Sequence, residues 1–84
     1  MEPKIIGDRI VKLINIEGIN ENTLAQKLNI TLIELKKKLN GEEEFYISEM
    51  MKIKELFNLN LEIFAKLFFE EDFKLEEDIV NLKK

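Results

Sequence analysis

Neither cysteine nor histidine occurs anywhere in the 84 residues. The first absence excludes a disulfide-stapled scaffold and a thiolate metal centre. The second removes the commonest transition-metal ligand and the commonest general base. Tryptophan is missing too, and the three glycines, Gly7, Gly18 and Gly41, are too few and too scattered for a phosphate-cradling loop. Ser48 is the one serine and Tyr46 the one tyrosine, so nucleophilic and acid–base chemistry have almost nothing to use. A non-enzymatic role without metal or cofactor is expected. No apolar run approaches the ~20 residues of a membrane span and no signal peptide opens the chain, so the expected location is cytoplasmic and away from membranes.

What is present suits a soluble globule: 45% hydrophobic residues and 36% charged. A chain this short buries only about 60% of its unfolded surface, so its core has to be efficient. The net charge of -4 is unevenly distributed. Residues 1–41 carry seven basic and five acidic side chains, while residues 42–84 carry six and twelve. If one half meets nucleic acid, it is the first.

The apolar periodicity is helical throughout. Ile6, Ile10, Leu13 and Ile14 make one stripe of a first helix, closed by Gly18 in the left-handed conformation. Asn20 caps a short second helix with Leu24, Ala25 and Leu28 inward, and Asn29 suits a left-handed turn. Thr31 and Glu34 form a capping box that opens a third helix, ended near Asn40-Gly41. After the solvated run Glu42-Glu43-Glu44 comes a fourth helix bearing Ile47, Met50, Ile53 and Phe57. Asn58 and Asn60 punctuate the next boundary, with Asn60 capping a fifth helix that carries Leu61, Phe64, Leu67 and Phe68. Leu75, Ile79 and Leu82 keep helical spacing in a last short segment, either helix or ordered tail. The acidic groups Glu70-Glu71-Asp72 and Glu76-Glu77-Asp78 lack the spacing and the glycine of a calcium loop and read as a solvated rim.

The stretch Asn20–Gly41 holds two short helices joined by a tight turn. Its residues are Asn20-Glu21-Asn22-Thr23-Leu24-Ala25, then Asn29-Ile30-Thr31, then Leu35 and Leu39-Asn40-Gly41. In that order they resemble the helix-turn-helix of the phage Cro/CI repressor family, often called Xre-like. There the pattern runs approximately Thr-Gln-x-x-Leu-Ala, Gly-Ile-Ser at the turn, and a recognition helix ending Asn-Gly. Phe45-Tyr46-Ile47-Ser48-Glu49-Met50 and the pair Phe68-Phe69 also look like small single-domain members of Gram-positive phages, so the likeness spans residues 6 to 69. It implies an all-α, five-helix lambda-repressor-like bundle over residues 1–69 with an acidic C-terminal extension over 70–84. It also implies a DNA-binding transcriptional regulator, a repressor acting as a dimer on an operator.

Transferred by position, the base-reading candidates are Thr31, Leu32, Ile33, Lys36 and Lys37, and the phosphate candidates are Glu21, Asn22 and Asn40. Two places depart from the family. Glu21 stands where glutamine is usual and would repel a phosphate. Leu32 and Ile33 stand where polar readers are common, and apolar side chains touch a thymine methyl but make no bidentate bond to guanine or adenine. Lys36-Lys37-Lys38 forms a run of which one or two face outward together, and Arg9 is the single arginine. The consecutive Phe68 and Phe69 point roughly 100° apart on a helix, so at least one is expected at an edge. Phe68, Phe69 and Phe73, with Leu75, Ile79 and Leu82 behind them, are the expected dimer surface. A second reading stays open: a helix-turn-helix turned protein-interaction module, such as an antirepressor or inhibitor, holding another protein through its acidic half and the Leu32-Ile33 edge.

Overall fold

Helices form where caps and stripes predict them: α1 over Pro3–Glu17, α2 over Glu21–Leu28, α3 over Leu32–Leu39, α4 over Ile47–Leu56 and α5 over Leu61–Phe69. The computed structural model describes residues 2–73; Leu75, Ile79 and Leu82 lie outside the described residues. Among the described residues there is no strand, and no helix is long and apolar enough to cross a membrane.

Four of the five helices stop by one device. Gly18, Asn29, Gly41 and Asn58 each adopt positive φ just past a helix end. The N–H of the residue after each then reaches a carbonyl five residues back, as from Ile19 to Ile14 and from Ile30 to Ala25, both 3.0 Å. Helix starts are equally local. The side chains of Asn20 and Asn60 accept from the N–H groups of Thr23 and Ile63, at 2.9 and 2.8 Å. Thr31 and Glu34 close the reciprocal capping box: the Glu34 N–H donates to Thr31 Oγ1 at 3.0 Å, and the Thr31 N–H to Glu34 Oε1 at 3.2 Å.

The core is built from Ile10 and Leu13 of α1, Leu24 of α2, Leu35 of α3, Ile53 of α4, and Leu67 and Phe68 of α5. α1 crosses α3 where Gly7 meets the backbone of Leu39, and a methyl group at that glycine would overlap the Leu39 carbonyl. That close approach is a reason for glycine inside a helix, where it otherwise costs about 1 kcal/mol. Two stripe positions differ from the sequence expectation. Ile47 and Leu61 open their helices and face solvent, and Ile63 takes the core place on α5.

Two charged side chains hold the elements together from inside. Arg9, 6% exposed, donates through Nη1 to the Lys66 and Leu67 carbonyls at 3.1 and 3.0 Å. Through Nη2 it donates to the Glu71 and Phe73 carbonyls at 2.8 and 3.3 Å, with its guanidinium over the Phe73 ring. An arginine of α1 therefore caps carbonyls at the end of α5 and holds residues 70–73 against the bundle. Burial draws its pKa below the ordinary arginine value, with neighbouring Glu70 acting in the opposite sense. Phe73, beyond the end of α5, is part of the core.

The second is Lys38, 2% exposed, whose Nζ donates to Glu49 Oε1 at 2.8 Å and to the Glu44 carbonyl at 3.1 Å. It lies over the Tyr46 ring at 4.1 Å from the centroid, and Glu49 also accepts the Tyr46 N–H at 2.8 Å. One buried ion pair thereby fastens the end of α3 to the start of α4.

Candidate nucleic-acid interface

α3 shows two opposed faces. Leu35, Lys38 and Leu39 point inward. Ile33, Lys36, Lys37 and Asn40, at positions i, i+3, i+4 and i+7, share the outward face, and all four are exposed. Ile33 is 70% exposed, unusual for an isoleucine and the highest value among the large apolar side chains described. The lysine run is therefore divided: Lys36 and Lys37 face solvent, and Lys38 belongs to the core.

The remaining candidates occupy less open positions. Thr31 is exposed, but its hydroxyl oxygen and Glu34 are engaged in the capping box. Leu32 is half-buried. Asn22 is exposed on the first turn of α2, beside half-buried Glu21. Glu21, Lys36 and Asn40 come together with Lys4, Asp8, Val11 and Leu39 around a shallow depression of about 210 Å³ between α1, α2 and α3. Its charges are balanced, two ammonium groups against two carboxylates, and Lys4 pairs with Asp8 at 3.0 Å. The structure thus gathers Lys36, Asn40 and Glu21 in one depression and sets Ile33 and Lys37 on the helix face that leads to it.

The aromatic residues expected to form one surface are separated. Phe68 and Phe73 are core and offer nothing to a second copy: Phe68 packs between Phe45 and Phe64, with ring centroids 6.4 and 5.3 Å away, and Phe73 lies under Arg9. Phe69, turned about 100° from Phe68, is 58% exposed. It borders a groove of about 220 Å³ floored by Pro3, Ile6, Phe45, Met50 and Phe68, with Glu43 and Glu44 at its edge.

Sequence reasoning overlooked Arg9, Lys38 and Glu49 as structural charges, yet a signal was there. Arg9 sits between Ile6 and Leu13 on the α1 stripe, Lys38 beside Leu35 and Leu39, and Glu49 four residues before Ile53. A charged residue at a core position of an apolar stripe calls for a buried partner. Among the described residues no group of three or more acidic side chains is placed to hold a metal ion. No protein-family model matches the chain, and no curated protein or solved structure matches it either.

Proposed function

We propose that this chain is a DNA-binding regulator of transcription, a repressor resembling the Cro/CI type, with α2 and α3 as its helix-turn-helix. The observation that carries the reading is the outward face of α3. A short helix, held from behind by Leu35, Leu39 and the Lys38–Glu49 pair, presents two lysines, an asparagine and an isoleucine to solvent with no packing role of their own. In this reading the N-terminal half of α3 enters the major groove, and Lys36 and Lys37 supply positive charge against the backbone. Asn22 and Asn40 flank the groove and bond phosphates, which sets the register without reading sequence. Repression follows from occupancy of an operator, with a dimer supplying two half-sites about one DNA turn apart.

The test is an electrophoretic shift of duplexes from upstream of the protein's own gene, at about 50 and about 200 mM salt. A retarded band that weakens steeply with salt is the expected result. No band at the lower salt overturns the reading.

A protein-interaction module is the alternative, favoured by one specific observation. Phe69 is exposed beside an apolar groove with two carboxylates at its edge, and Glu21 places a third carboxylate next to Lys36. An antirepressor or inhibitor would use such a surface to hold another protein.

A further inference from the structure

We infer that Ile33 reads the 5-methyl group of thymine, so that methyl contact contributes to how this protein selects its sites. The inference rests on the helix-turn-helix reading above and specifies what that interface recognises. The strongest reader of guanine is the arginine fork, and the chain's single arginine is buried in α1 with both terminal nitrogens bound to carbonyls of residues 66–73. At the start of α3 the Thr31 oxygen and one Glu34 carboxylate oxygen accept from each other's backbone N–H, which fixes both side chains at the cap. Asn40, the amide on the outward face, sits at the opposite end of the helix as its C-cap.

Of the two apolar side chains that open α3, Leu32 is half-buried, whereas Ile33 is 70% exposed and points the same way as Lys36 and Lys37. Its side chain makes no contribution to the core, so folding gives no reason for an isoleucine there. In the major groove, the group of matching chemistry is the thymine methyl, the one apolar feature that any base edge presents. Where no guanine is present for Lys36 and Lys37 to bond, they supply attraction that ignores sequence, and Ile33 discriminates by covering methyl groups.

The experiment uses two duplexes of about 20 bp, enough for two half-sites. One alternates A and T, the other A and U, so they differ only in the methyl group. Binding is measured by fluorescence anisotropy across a salt series with the wild-type protein and with Ile33→Ala. The wild type is expected to bind the thymine duplex about four-fold more tightly for each methyl covered. Ile33→Ala, changed at an exposed position, is expected to bind both duplexes alike and to keep the wild-type salt slope. Equal wild-type affinity for the two duplexes, with a salt slope intact, overturns methyl reading and leaves DNA binding standing. A thymine preference that survives in Ile33→Ala overturns the role of this residue. Absence of binding to either duplex at low salt overturns the helix-turn-helix reading and the inference with it.

Discussion

Lys38 shows how one side chain is decided by its surroundings rather than by its type. Three lysines follow one another, and the third is enclosed by Glu49, the Glu44 carbonyl and the Tyr46 ring. Replacing it with alanine leaves the Glu49 carboxylate buried with only the Tyr46 N–H as partner. Lys38→Ala is expected to cost about 3 kcal/mol, a large part of a small domain's stability, read as a lower urea midpoint. Lys38→Met combined with Glu49→Leu is expected to recover most of that loss, because it removes both charges and keeps the volume. A single mutant as stable as wild type would show that the pair contributes nothing to holding α3 in place.

At the scale of the element, α3 is a two-sided helix of eight residues. Its inner side is anchored by leucine packing and the ion pair, so its outer side can be altered without loss of fold. Lys36→Ala with Lys37→Ala is expected to leave the circular dichroism spectrum and melting unchanged. The same double variant should weaken DNA binding and flatten the slope of log affinity against log salt by up to about 2. An unchanged slope would remove these lysines from the phosphate contacts. Glu21, at the edge of the same depression, provides the opposite sign. Glu21→Gln removes a carboxylate facing the proposed backbone, so tighter binding is expected in an anisotropy titration, and weaker binding would place the DNA elsewhere.

Among the described residues, two exposed surfaces bear on the proposed function of the whole molecule: the outer side of α3, and Phe69 with the groove beside it. One short helix covers few base pairs, so a specific regulator of this size requires a second copy. Phe69 is the aromatic residue of α5 free to meet it, since Phe64 and Phe68 are buried. The wild type is expected to sediment at twice the chain mass at micromolar concentration, and Phe69→Asp to sediment as a folded monomer. Exposure of Phe69 within the single chain makes this substitution compatible with folding, whereas Phe68→Asp would place a charge in the core and unfold the protein. A wild-type monomer at that concentration would reject the dimer.

What the sequence alone determined are the features made by neighbours along the chain. Asn20, Thr31, Glu34 and Asn60 cap within one turn, and Gly18, Asn29 and Gly41 end helices through their own backbone freedom, so five helices and their order could be read directly. That one or two of the three lysines 36–38 face outward follows from the same periodicity, and the packing of α3 set Lys36 and Lys37 outside and Lys38 inside. Tertiary structure decided which polar groups are internal. Arg9 meets carbonyls 57 to 64 residues away and Lys38 meets Glu49 across the α3–α4 connection, and no local pattern encodes partners at such separations. It also decided that Phe68 and Phe73 lie inside and Phe69 outside, and so left one ring exposed of the three in the expected dimer surface. The physical reason is range: capping and helical periodicity act over one or two turns, whereas burial of a charge or a ring depends on what a distant segment brings to cover it.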